Sequence, residues 1–159
     1  IVLDVAKNSS KYKKINHLIN WVLTSENLHK YNTVKKQKEF FQECKIHKIL
    51  LKKLIIDLIK KGKKVYGYGA STKGNVLLQF CNIKSKDIKY IGEVNKFKFN
   101  KYTPGTKIKI ISEKEIKKRK PDYLLVLPWH FKDHIIKKEQ KYLNSGGKLL
   151  FPLPDIEII

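Results

Sequence analysis

The sequence predicts an α/β fold, a doubly wound and mostly parallel sheet preceded by a long helical arm. Three observations predict it. From Lys63 onward, short segments of period 2 alternate with segments of period 3.6. One strand-length run, DYLLVL at 122–127, is almost wholly apolar, as a strand covered on both faces must be. No two-residue hairpin signal lies between the strands, so they are expected to run parallel through crossovers.

Taken in order, IVLDVAKN at the amino end reads as a strand with a polar end, followed by a turn at Ser9-Ser10. Between Lys11 and Leu28 apolar residues recur at Ile15, Leu18, Ile19, Val22 and Leu23, which is helical spacing. A second helix is predicted from Val34 to Lys61, with Phe40, Cys44, Leu51, Leu54, Ile55 and Leu58 on its stripe and Gly62 as its stop. KVYGYGA is a strand running into glycines, and Ser71 caps a helix that continues to Cys81.

Asp87–Gly92 forms a second strand ending at Glu93, followed by a loop of fifteen residues, VNKFKFNKYTPGTKI, with a Pro104-Gly105 turn. A loop of that length without elements of its own is functional or disordered. Lys109–Ile111 is an edge strand, and Ser112 with Glu115 makes a capping box for a helix reaching Lys118. After the strand at 122–127, stopped by Pro128, a helix is predicted from Phe131 to Leu143, then a strand from Lys148 to Phe151 and an apolar tail, Ile156–Ile159.

The composition sets limits. The 159 residues suffice for one ordinary domain with a little left over, and 42 % hydrophobic residues can build a core. No apolar run is long enough to span a bilayer, and an Asp inside the amino-terminal apolar stretch speaks against a signal peptide. Cys44 and Cys81 make neither a disulfide framework nor a metal knuckle, which fits a reduced, cytoplasmic setting. No Met is present, even at position 1, so the expectation is a piece of a longer chain. The net charge of +21 invites a nucleic-acid reading, but 34 Lys stand against a single Arg and are spread along the whole chain. Bidentate phosphate and guanine recognition favours Arg, so nucleic acid is not the expected partner. A small polyphosphate ligand remains congenial to such a surface.

In doubly wound sheets ligands sit beyond the carboxyl ends of the strands. That rule selects Gly67–Gly74, Glu93–Asn95, Trp129 with His130, and Pro152–Pro154. Gly67-Tyr68-Gly69 before a helix resembles a dinucleotide fingerprint, yet the third glycine is Gly74, with Thr72 where it should stand. The backbone amides of Gly69–Ser71, with Lys73 nearby, are the expected phosphate contacts, and a tight turn without ligand is the alternative. Glu93 could hold a ribose hydroxyl. His130 is open to three readings: a ligand contact or proton carrier, a metal partner of His134 without a convincing third ligand, or a structural residue. Trp129 reads either as crevice wall or as core. No nucleophile elbow and no plausible Cys-His nucleophile pair occurs, so no self-contained catalytic set emerges; His130 stays a catalytic candidate, and no metal site is expected.

GYGASTKGNVLLQFCNI, YTPGTKIKI, KPDYLLVLPWHF and YLNSGGKLLFPLP, in that order over 63–154, resemble the carboxy-terminal domain of SAM-dependent C-methyltransferases acting on nucleotide-linked deoxysugars. The resemblance implies a Rossmann-like domain at 63–159, a connecting helical arm at 11–62, and a remnant of the last strand of a SAM-binding domain at 1–10. It implies an amino-terminal zinc domain and a central SAM-binding domain outside this chain, so that SAM and zinc are bound elsewhere and that SAM domain is a partner. The base that deprotonates the sugar carbon beside a 4-keto group would also lie in the central domain, with His130 in a positioning role. The implied nucleotide-sugar site comprises Gly67, Tyr68, Gly69, Ala70, Ser71, Lys73, Gly74, Asn75, Glu93, Asn95, Pro104, Gly105, Trp129 and His130. The family often has Asp at the position of Glu93, and His or Asn at that of His130. A stand-alone nucleotide- or dinucleotide-binding module is the competing reading, carried by GYGA and Glu93.

Overall fold

A computed structural model describes residue 5 and residues 7–159. The strand expected over IVLDVAKN therefore falls largely outside the described residues. The chain divides into two compact units, residues 1–44 and 45–159.

In the first unit, α1 spans Asn16–Leu28, five residues later than the apolar spacing predicts. Lys11, Lys13 and Lys14 precede it, and cations oppose the positive amino end of a helix dipole. Ile15, at its cap position, makes no side-chain hydrogen bond. α2 spans Val34–Lys60 and ends at Gly62, which takes φ +75°. The boundary between the units falls inside α2 and not at Gly62. The physical reason is that Leu51, Ile55 and Leu58 lie on one helical face and are buried in the core of the second unit.

The second unit holds one six-stranded sheet in the order β3-β2-β1-β4-β5-β6. Its strands are β1 (Val65–Tyr68), β2 (Tyr90–Glu93), β3 (Lys109–Ser112), β4 (Tyr123–Val126), β5 (Lys148–Phe151) and β6 (Glu157–Ile158). All neighbours pair parallel except β5 and β6. The fold class is the expected one, with the antiparallel β6 closing one edge. The chain starts at β1 in the middle of the sheet, runs outward through β2 to β3, then returns to β4 on the other side of β1. The β1/β4 boundary is therefore the switch point. Register aligns Tyr68 with both Gly92 and Val126, so Gly69 and Leu127 leave their strands at the level of Glu93, the last residue of β2.

The remaining helices are α3 (Thr72–Phe80), α4 (Glu113–Lys118), α5 (Lys132–Lys138) and α6 (Gln140–Asn144). Ser71 and Ser112 cap α3 and α4 by accepting from the amides of Gly74 and Glu115. The single helix expected from Phe131 to Leu143 is instead a 3-10 turn, Trp129–Phe131, followed by α5 and α6. The break is at Glu139, whose carboxylate is 1 % exposed and accepts from the Tyr68 hydroxyl at 2.8 Å and from Lys117 Nζ. Pulling that carboxylate against the sheet ends the helix.

The long loop after β2 is ordered. Asn95 caps a 3-10 turn at Lys96–Lys98 through its side chain. Farther on, Ile110 N donates to Lys101 O, Asn100 N to Ile110 O and Thr103 N to Ile108 O. Buried Thr103 and Thr106 share a hydroxyl hydrogen bond of 2.6 Å that closes the turn.

Candidate functional site

The site is built at the carboxyl ends of β1, β2 and β4. Gly69 takes φ +77°, and a Cβ there would lie 2.7 Å from Pro128 Cδ. Its amide donates to Gly92 O at 2.7 Å, Ala70 N donates to Glu93 Oε2 at 3.0 Å, and Ser71 N donates to Gly69 O at 2.8 Å. The three amides expected to bind phosphate thus donate within the chain. Gly74 would place a Cβ 2.4 Å from that of Leu127, and Gly67 one 2.6 Å from Ile91 Cγ1. All three glycines serve close packing of strand, turn and helix. A bulky residue at 69 would strain the turn itself, so such a change cannot report on a ligand.

Glu93 is 6 % exposed. Its Oε1 accepts from the amides of Val94 and Asn95 at 2.8 and 3.0 Å, and its Oε2 accepts from Ala70 N and from Lys98 Nζ at 3.3 Å. Burial alone would raise its pKa, but the amides of Asn95 and Val94 together with Lys98 outweigh burial and hold it below the ordinary carboxylate value. Lys98 also donates to Ala70 O at 2.9 Å, which ties the loop after β2 to the turn after β1.

Two clefts flank a ridge formed by Ser71 and Lys98, which line both. The loop-side cleft, about 290 Å³, lies between α3 and the 94–108 loop, and Asn75, Lys101, Tyr102 and Pro104 contribute to its walls. The Oδ1 atom of Asn75 is buried and has no hydrogen-bond partner among the described residues. The helix-side cleft, about 280 Å³, lies toward α5, with Tyr68, Glu93, Glu113, Phe131, His134 and Lys138 among its walls. Here Lys138 holds both carboxylate oxygens of Glu113 at 2.8 and 2.9 Å. The Tyr68 hydroxyl, buried and bonded to Glu139, has its pKa pushed far up, first by burial and then by that carboxylate. A larger concavity near 700 Å³ beside residues 34–43 is walled by one helix alone and gathers no convergent chemistry.

Ala70, Ser71, Asn75 and Pro104 therefore line the loop-side cleft, and Tyr68, Gly69, Ser71 and Glu93 the helix-side cleft. The other expected residues do not line either. Gly67 and Gly74 are packing positions, Lys73 is exposed on α3, and Asn95 accepts from Phe97 N. Gly105 takes φ +72° against the Gln79 side chain. Trp129 is half-buried and packs against both halves of the core, not at a crevice mouth. His130 is exposed, with its ring between those of Trp129 and Phe131, and sits outside both clefts. Sequence reasoning missed Lys98, Lys101, Tyr102, Glu113, Phe131 and Lys138. Lys98 and Lys101 are two of 34 lysines and carry no local signal. Only the length of their loop pointed there. The one signal for His134 in the sequence is its spacing of four residues from His130.

Burial pushes the Cys81 thiol up to about 11, so it is not poised as a nucleophile, and both cysteines are free. Among the described residues no group of three or more His, Cys, Asp or Glu is placed to hold a metal ion, and no helix is long and apolar enough to cross a membrane.

A family model described as C-methyltransferase C-terminal domain matches residues 1–154. The chain belongs to that family. The match takes in the helical arm, whose apolar spacing alone did not tie it to the sheet domain. A curated relative, the C-methyltransferase NovU of Streptomyces niveus, is 34 % identical over 109 residues, which are 69 % of this chain and 26 % of the relative. The chain thus spans about a quarter of that relative's length.

The residues present do not fit SAM or a dinucleotide at the β1–α3 turn. Such ligands need free turn amides and an acidic side chain open to ribose hydroxyls. Here the amides of Gly69, Ala70 and Ser71 are engaged, and Glu93 is closed by three amides and a lysine.

Proposed function

We propose that this chain supplies the substrate-side wall of a SAM-dependent C-methyltransferase and holds a nucleotide-linked 4-keto deoxysugar. On this reading SAM, the structural zinc and the catalytic base belong to other domains of a longer polypeptide, with which the chain works in the cytoplasm. The observation that carries the reading is the pair of clefts meeting at Ser71 and Lys98. Either cleft alone falls just short of the roughly 300 Å³ at which small-molecule sites begin, whereas the pair falls within that range. A ligand longer than either lobe, such as a nucleotide joined to a sugar, suits two lobes that meet at Ser71 and Lys98.

The chemistry is consistent with a base elsewhere. Tyr68, Glu93, Glu113 and Glu139 are each engaged by a hydrogen bond or an ion pair. On this reading the base on the other domain would take the proton beside the 4-keto group, and SAM held by that domain would supply the methyl group. This chain's part is to orient the sugar for that transfer. His130, outside the clefts, is at most a positioning residue.

Calorimetric titration of the chain with SAM, NAD and a set of nucleoside diphosphate sugars tests the reading. Binding of a nucleotide-sugar without binding of SAM or NAD is expected. Micromolar affinity for SAM would overturn it, and affinity for NAD alone would favour the stand-alone dinucleotide module.

A further inference from the structure

Resting on that reading, and going beyond it, we propose that the two clefts take opposite ends of the ligand. The nucleoside and its phosphates enter the loop-side cleft, the sugar enters the helix-side cleft, and Tyr102 and His134 are the specificity-determining side chains of the two ends.

Charge decides the orientation. No carboxylate lines the loop-side cleft, and because Lys98 reaches both clefts and is already paired with Glu93, the difference between them rests on Lys101. Lys101 makes no ion pair among the described residues, so its charge is available to a phosphate. The helix-side cleft also contains two lysines, but each faces a carboxylate: Lys98 pairs with Glu93, and Lys138 with Glu113. Its ionic groups cancel, and a diphosphate pushed into it would meet two carboxylates at close range. An uncharged, hydroxylated group meets no such penalty there.

The walls agree with the charges. Tyr102 is 60 % exposed on a loop held by the Thr103–Thr106 closure, and it lines the loop-side cleft beside Pro104. An exposed aromatic ring on a fixed loop is a stacking surface for any nucleobase. The helix-side cleft offers Phe131, 58 % exposed, as an apolar face and His134 as a polar edge. The ring nitrogens of an imidazole can hydrogen-bond a sugar hydroxyl. Both Tyr102 and His134 are exposed, so neither substitution empties the core.

Calorimetric titration with UDP, TDP, GDP and ADP, and with the glucose conjugate of each, reads the two ends separately. In the nucleotide that binds best, Tyr102→Ala should weaken the diphosphate and its conjugate alike, by about tenfold, and Tyr102→Phe should keep the affinity because the ring remains. His134→Ala should leave the diphosphate affinity unchanged and weaken only the conjugate. The reverse pattern, with His134→Ala weakening both and Tyr102→Ala only the conjugate, overturns the orientation and leaves the nucleotide-sugar reading standing. Unchanged affinities in both variants overturn the assignment of these side chains in the same way. No affinity of the unaltered chain for any of the eight compounds overturns the function on which the inference rests.

Discussion

The helical unit and the sheet unit draw on the same residues, lysines and branched apolar side chains, and use them in opposite ways. In α1 none of the 13 residues is buried, and Trp21 is 71 % exposed although it sits among Leu18, Val22 and Leu23. In β4 Leu124, Leu125 and Val126 are completely buried, because the sheet continues on both sides and helices cover its faces. Both segments advertise themselves in the sequence by periodicity or by apolar runs. Periodicity states which face of an element is apolar, and it is silent on what covers that face. The convergent chemistry gathers where the covering exists, since a side chain needs a packed frame to be held against a ligand.

The largest difference between the units should appear on truncating a leucine in each. Leu125→Ala removes a side chain from the middle of the sheet and is expected to cost about 2–5 kcal/mol, whereas Leu18→Ala on α1 should stay within about 0.5 kcal/mol. Urea unfolding followed by circular dichroism measures both. An equal loss at Leu18 would mean that α1 is covered in solution, and the contrast would fail.

A smaller contrast is expected between two glutamates. Glu139→Ala leaves the Tyr68 hydroxyl buried without its acceptor, a loss of about 1–3 kcal/mol. Glu39 on α2 pairs with Lys36 at 3.3 Å while both side chains stay largely exposed, so Glu39→Ala should cost about 0–1 kcal/mol. If Glu139→Ala proves as mild as Glu39→Ala, the α5–α6 break is not held by its carboxylate. The same variant should then leave the amide exchange of residues 132–144 unaltered.

The contrast also explains what the sequence makes legible. The strands at 65–68 and 123–126, the stop at Gly62, and the caps Ser71 and Ser112 rest on neighbours within four residues, and the sequence shows them directly. The break at Glu139 depends on Tyr68, 71 positions away, and on Lys117, 22 positions away, which no local pattern encodes. The same holds for the site. GYGA is legible as a turn, but the engagement of its amides by Gly92 and Glu93 arises only when β1 and β2 pair. The two clefts depend on how the 94–108 loop returns toward β3, and its tyrosine and lysines look ordinary in a chain of this composition. The resemblance names the domain, whereas the clefts beside the glycine turn become visible only in the fold.

The smallest expected effect, and the sharpest check on the engagement of that turn, is the pH dependence carried by Glu93. Its carboxyl is held below the ordinary value, against its own burial, by the amides of Asn95 and Val94 and by Lys98. A depressed pKa in the folded state means that the ionised form contributes stability above the unfolded value of about 4.3, and that this contribution is lost as pH falls through the lower folded value. The stability of the sheet unit should therefore decline on acidification below about pH 4.3, and Glu93→Gln should flatten that decline while lowering stability at neutral pH. Asp122 acts with the same sign, because the Lys64 amide, and secondarily Lys63, hold it down, so Asp122→Asn must be measured alongside to divide the slope. Amide exchange at Ala70 adds a local reading. In Glu93→Gln its protection should fall even at neutral pH, since Ala70 N then meets a weaker acceptor. Should Glu93→Gln leave both the acid limb and the Ala70 amide untouched, the carboxylate is not closed by the turn, and the β1–α3 glycines return as candidates for phosphate contact.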